Sequence, residues 1–129
     1  MILDTTAIID LLRRDNQINK KIKELQDKNT SFFLTSVSVF EIWQGTADLK
    51  DKDTLNKIHF LLDSLGVFLL DIPSAKEAGS IHASLKQQGI MIDPEDSMMA
   101  GIAKHQKEPI LTRNIKHFQK IQSVEVETY

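Results

Sequence analysis

The chain opens Met1-Ile2-Leu3-Asp4-Thr5-Thr6-Ala7-Ile8-Ile9-Asp10-Leu11-Leu12, and the fold class turns on how this stretch is read. Met1–Leu3 is continuously apolar, which is the mark of a strand buried on both faces. Directly behind it, Thr5 or Thr6 caps a helix carrying Ile8, Ile9, Leu11 and Leu12 at helical spacing. A short buried strand that feeds straight into a helix is the repeating unit of a parallel sheet.

The same unit recurs further along. Phe32-Phe33-Leu34, Val67–Leu70, Pro109–Thr112 and Val124–Val126 read as strands. Asp15 caps a helix bearing Ile18, Ile22 and Leu25, and Asn29-Thr30 is a turn. Ser36 or Ser38 opens a helix with Val39, Phe40 and Trp43, ended near Gly45. Asp51 or Asp53 opens the next, with Ile58, Leu61, Leu62 and Leu65 on one face and Gly66 behind it. Ser74-Ala75-Lys76-Glu77 reads as a capping box for a helix with Ala78, Ile81 and Leu85, stopped by Gly89. Pro94 starts a short helix with Met98, Met99, Ile102 and Ala103, and Asn114 caps a last one bearing Phe118 and Ile121. Right-handed crossovers between such strands predict a three-layer α/β/α sandwich with a mainly parallel sheet, residues 1–129 forming one domain.

Composition narrows the chemistry. The chain has 129 residues, 41% hydrophobic and 26% charged, as an ordinary globular protein has. No apolar run reaches the ~18–20 residues of a membrane span. An acid at position 4 and no basic stretch before it argue against a secretory signal. The absence of Cys excludes disulfides and thiolate metal sites, and fits a cytoplasmic location. Sixteen Lys and Arg against eighteen Asp and Glu leave a net charge of -2, too little for a long, sequence-blind nucleic-acid groove. Contact with a polyanion must be local or metal-assisted.

Ligands of an open parallel sheet bind beyond the carboxyl ends of its strands. Asp4 follows the first strand, and Thr112, Arg113 and Asn114 follow Pro109–Leu111. Asp93, Glu95 and Asp96 start one helix, and Glu41 lies near the start of another. Each has a structural alternative. Asp4 and Asn114 can be helix caps, Ser38-Val39-Phe40-Glu41 fits a capping box, and Asp93 and Asp96 complement a helix dipole. If the acids converge, only protons or a cation make the arrangement tolerable. With no Cys and no paired His spacing, oxygen donors suit Mg²⁺ or Mn²⁺.

Taken together the motifs resemble those of the PIN-domain ribonucleases, and in particular the VapC toxins of toxin–antitoxin pairs. The matching stretches are Leu3–Asp10, Ser36–Gly45 with its Glu41, Asp96–Ala103, and Ile110–Phe118 with Thr112-Arg113-Asn114. The resemblance implies an α/β/α fold and a Mg²⁺- or Mn²⁺-dependent endoribonuclease. It implies Asp4, Glu41 and Asp96 as the catalytic, metal-holding acids, with Asp93 as a further donor and Thr112 and Asn114 as residues that orient a carboxylate or water. It also implies an RNA substrate, a cognate antitoxin and a homodimer. Where many members carry a fourth acid, this chain has Asn114 and His117.

Charge pattern adds Arg113, Lys116 and Lys120, spaced to share one face of the last helix, as RNA-binding residues. Arg13 and Arg14 are a second basic pair. Met98, Met99, Phe40 and Trp43 read as core or interface, with core favoured, and an apolar groove near the first helices would suit an antitoxin segment. Two other functions stay open: a PIN nuclease of RNA processing without an antitoxin, and a catalytically weakened binding module of the same fold.

Overall fold

Ile2 and Leu3 are adjacent in sequence yet belong to two separate hydrophobic cores, as do Ile110 and Leu111. That alternation is the two-residue period of a strand with both faces covered. The computed structural model describes residues 1–129. Its strands are β1 (Ile2–Leu3), β2 (Phe33–Thr35), β3 (Gly66–Phe68), β4 (Ile110–Leu111) and β5 (Val126–Glu127). They form one sheet in the order β3-β2-β1-β4-β5, and every neighbouring pair runs parallel.

The helices are α1 (Thr5–Leu12), α2 (Asn16–Asp27), α3 (Ser36–Gln44), α4 (Lys52–Ser64), α5 (Ile72–Gln87), α6 (Pro94–Gln106) and α7 (Ile115–Phe118). One core joins Leu3, Leu34 and Leu111 to Ala7 and Ile8 of α1, Ile18 and Leu25 of α2, Ile42 of α3 and Ile58 of α4. The other joins Ile2 and Ile110 to Ile81 and Leu85 of α5, to α6 through Met99, Ala100, Ile102 and Ala103, and to Phe118 of α7. The three-layer α/β/α sandwich expected from the sequence is the fold observed.

Several boundaries differ from the sequence reading, each for a local reason. The box at the start of α3 joins Thr35 to Ser38, with the Ser38 amide donating to Thr35 Oγ1 (3.0 Å) and the Thr35 amide to Ser38 Oγ (3.0 Å). Helix α5 begins before Ser74, because Asp71 caps it by accepting from the Ser74 amide (3.0 Å). That leaves Glu77 to an ion pair with Lys104 rather than a cap. Gly66 stands directly behind the C-cap Leu65 of α4, as expected, and also starts β3, without a positive φ. The last helix has only four residues. Phe118 and Ile121 are both buried, but a turn with the Ile121 amide on the Phe118 carbonyl (2.8 Å) brings them to the same side without a helix. Phe40 (58% exposed) and Trp43 (46%) lie outside the core that the sequence favoured for them, whereas Met99 is buried.

Candidate active site

The sheet order reverses between β1 and β4, so the crevice beyond their carboxyl ends is a topological switch point. Leu3 pairs with Leu111, which places Asp4 and Thr112 side by side at that edge. Asp4 is the first residue before α1, yet its side chain makes no capping bond. Instead its Oδ2 accepts from Thr112 Oγ1 (2.6 Å) and Thr6 Oγ1 (2.7 Å). Thr112 is fully buried, and its hydroxyl in turn accepts from the Asn114 amide (2.9 Å). Two hydroxyls from two segments therefore aim one carboxylate, and the cap reading of Asp4 does not hold.

Glu41 is settled in the same way. With the box formed by Thr35 and Ser38, Glu41 lies past the first turn of α3 and has no cap to make. Its Oε2 accepts from Thr5 Oγ1 (2.5 Å), the residue next to Asp4. Burial raises its pKa above the ordinary carboxylate range, and the charges of Asp4, Glu95 and Asp93 push the same way. Asp96, in the first turn of α6, is raised to about 6. Burial is again the main cause, with Asp4, Asp93 and Glu41 adding to it and His117 opposing. Three acids from three distant segments thus feel one another's charge.

His117 Nδ1 lies 2.9 Å from Asp96 Oδ2, and the Asn114 side-chain amide meets His117 Nε2. With Asp96 ionised, Nδ1 carries the proton and Nε2 accepts from the amide. Asn114 is the residue before α7 but makes no side-chain cap either. Asp93, before α6, is likewise free of a side-chain cap bond. Asp93, Asp96, Lys116 and His117 line a small cavity of about 190 Å³ with Met91 and Ile92.

As placed, no three carboxylates or imidazoles converge closely enough to share one ion. The donor chemistry nonetheless suits a hard cation. Asp4, Glu41, Asp96 and Asp93 offer oxygen only, and the proton affinity of Glu41 and Asp96 is raised first by burial and then by neighbouring carboxylates, a cost that a divalent ion would relieve.

The basic residues are arranged differently from the sequence reading. Helix α7 covers only Ile115–Phe118, so Arg113 and Lys120 lie outside it and no single helical face carries all three. Arg113 Nη1 pairs with Asp10 Oδ2 at 2.9 Å, Lys116 sits on the cavity with Asp93 and Asp96, and Lys120 is exposed. The sequence reading left out Thr5, Thr6 and Asp10 as parts of the site. Their signal was their place: all three belong to the first motif, one, two and six residues after Asp4.

The PIN domain family model matches residues 1–123. The chain is 26% identical over 129 residues to the tRNA(fMet)-specific endonuclease VapC of Salmonella typhimurium, covering 98% of this chain and 96% of that protein. It is 30% identical over 101 residues to Ribonuclease VapC3 of Methanocaldococcus jannaschii, covering 78% of this chain and 95% of that one. Its fold superposes on VapBC2 from Rickettsia felis, solved bound to a promoter DNA fragment, with a TM-score of 0.89 at 22% identity over 99% of this chain and 97% of that one. The family model spans all four motifs, and the chain belongs to the PIN-domain family, where it resembles the VapC ribonucleases.

Proposed function

We propose that the chain is a Mg²⁺- or Mn²⁺-dependent endoribonuclease that hydrolyses RNA phosphodiester bonds, acting in the cytoplasm as the toxin of a toxin–antitoxin pair. The observation that carries this reading is the placement of Asp4, aimed by Thr6 and Thr112, beside Glu41, held by Thr5, with Asp96 in the first turn of α6 at the same switch point. Relatives named as ribonucleases and endonucleases support it.

A divalent cation, when bound, neutralises these acids and the scissile phosphate and lowers the pKa of water. Asp4, Glu41 and Asp96 are the residues to hold it, with Asp93 beside them. Thr6 and Thr112 fix the direction of the Asp4 carboxylate, and Thr5 fixes that of Glu41. Glu41, half-buried and held by Thr5 beside Asp4, completes the oxygen donor set. Asn114 holds His117, which holds Asp96. Arg113, Lys116 and Lys120 meet the RNA backbone. Attack by water leaves a 5′-phosphate.

The antitoxin partner is assigned to the largely apolar groove of about 440 Å³ lined by Leu11, Leu12, Arg14, Asn56, Lys57, Phe60 and Leu61, between α1 and α4. Phe60 is 77% exposed there, as a helix-in-groove contact requires. Solved relatives named as VapBC complexes support such a partner, and a homodimer belongs to the same proposal. A small neighbouring gene for a DNA-binding protein favours the toxin over a free-standing PIN nuclease.

The test is RNA cleavage with and without Mg²⁺ or Mn²⁺, comparing wild type with Asp4→Asn and Asp96→Asn. Metal-dependent cutting by wild type and a loss of at least about tenfold in each variant are expected, ~1.4 kcal/mol of transition-state stabilisation. Equal rates in all three would reject the mechanism. The Asp96–His117 pair favours a second reading, a weakened RNA-binding module, because it replaces the usual fourth acid. Binding of RNA by wild type without cleavage at any metal concentration would select it.

A further inference from the structure

Asp10 is buried, with a side chain only 3% exposed, and takes no part in the acid cluster. Its Oδ2 faces two donors. Arg113 Nη1 stands 2.9 Å away, and the Tyr129 hydroxyl donates at 2.7 Å. The three residues come from α1, from the loop behind β4 and from the segment after β5. A buried carboxylate persists in such a place only with partners of this kind.

The pair lies beside the reaction edge. The Arg113 amide donates to Thr6 Oγ1 (3.3 Å), and that same hydroxyl donates to Asp4 Oδ2 (2.7 Å). Arg113 is thus anchored at both ends, by its backbone to the residue that aims Asp4 and by its guanidinium to Asp10. Its side chain is still 53% exposed, and a guanidinium has five donors, so a fork remains open to solvent. A free arginine loses rotamer entropy when it closes on a phosphate, and one already held loses less.

We propose that Asp10 is a positioning residue for RNA binding: it holds the Arg113 guanidinium at the rim of the acid site so that its free donors meet a backbone phosphate of the substrate. This rests on the ribonuclease reading above. Tyr129 is the second donor to the same oxygen. Its hydroxyl donates to Asp10 Oδ2 and ties the segment after β5 to α1, whereas Arg113 links Asp10 to the substrate.

The experiment compares wild type, Asp10→Asn and Tyr129→Phe. It measures melting temperature, steady-state cleavage of a labelled single-stranded RNA, and binding of the same RNA by anisotropy in Ca²⁺ without turnover. Asp10→Asn removes the charge that pairs with the guanidinium and leaves one amide oxygen for two donors, since the arginine and the phenol both meet Oδ2, so the arginine is held less firmly. KM and Kd should rise about fivefold, the cost of ordering one long side chain, with kcat within twofold. Tyr129→Phe should lower the melting temperature and leave KM unchanged. Unchanged KM and Kd in Asp10→Asn would overturn the inference while leaving the nuclease reading intact. So would equal KM changes in the two variants that track their stability losses. A wild type that neither cleaves nor binds RNA would remove both, and is told apart by failing before any variant is made.

Discussion

At Asp96 the carboxyl is raised from an ordinary 3.8 to about 6, chiefly by burial and then by Asp4, Asp93 and Glu41. The sign follows from linkage. Between pH 4 and 6 the folded chain keeps a proton that the unfolded chain has released, so this group makes stability fall as pH rises through that window. The contribution is about 1 kcal/mol once solvent screening of a half-buried group is allowed for, or a few degrees in melting temperature. In chelator, wild type should therefore gain melting temperature from pH 7 to 5 relative to Asp96→Asn, followed by calorimetry. Parallel curves for the two proteins would reject the assignment. Saturating Mn²⁺ should erase the difference if the ion takes the place of the proton. The places of the candidate residues are legible in the sequence, because Asp4 and Thr112 each directly follow a buried strand and Asp96 stands where a loop enters a helix. Directions are not. Ser38-Val39-Phe40-Glu41 satisfies the capping-box pattern as well as any catalytic one. Only the hydroxyl of Thr35, buried at the end of β2, decides that the box closes upstream and releases Glu41 toward Thr5. The Asp10–Arg113 pair spans more than a hundred positions of chain and leaves no local pattern at all.

Among the elements, α5 and α6 make the closest crossing, and Gly101 is where they meet. A Cβ built there would lie 2.5 Å from the Ala78 amide nitrogen and the Ser74 carbonyl oxygen and 2.6 Å from the Ala78 Cβ. Two of these are backbone atoms that cannot swing aside. Gly101→Ala gains about 1 kcal/mol of helix propensity but forces an overpacked crossing that costs up to about 3 kcal/mol. The second effect wins, and urea unfolding should show a net loss of about 2 kcal/mol. An unchanged or raised midpoint would mean that α5 and α6 separate freely. Because Asp96 lies about a turn and a half from this contact on the same helix, the variant should also cleave RNA more slowly. Elements of this kind are read well from sequence where a rigid signal marks them, as Asp15, Asp51 and Pro94 do for α2, α4 and α6. They are read poorly where tertiary contacts choose between equal options. The spacing of Phe118 and Ile121 fits a helix, but a pair of turns buries both side chains with fewer residues ordered. The central strands β1 and β4 keep their position because both faces are buried, while the ends of the half-buried edge strand β5 shift by a residue or two.

Across the whole molecule the net charge of -2 offers RNA no general attraction. The acid site makes the entrance locally more repulsive still. On the proposed ribonuclease reading, binding must then come from the few cations that stand beside the acids, with Arg113 paired to Asp10 and Lys116 on the cavity that Asp93 and Asp96 share. This makes a quantitative demand on salt dependence. Each neutralised phosphate of a single strand contributes about -0.7 to the slope of log K against log salt. Contacts from Arg113, Lys116 and Lys120 together give a slope near -2 on that basis. A long electrostatic groove would give a far steeper one. Replacing Arg113 and Lys116 by Ala should weaken RNA binding and flatten the slope to about -0.7, leaving one contact. Affinity for Mn²⁺, measured by calorimetry, should stay as it was, since neither cation belongs to the oxygen donor set. An unaltered slope in the double variant would discard the basic rim, and with it the means by which an acidic crevice on an acidic protein admits a polyanion.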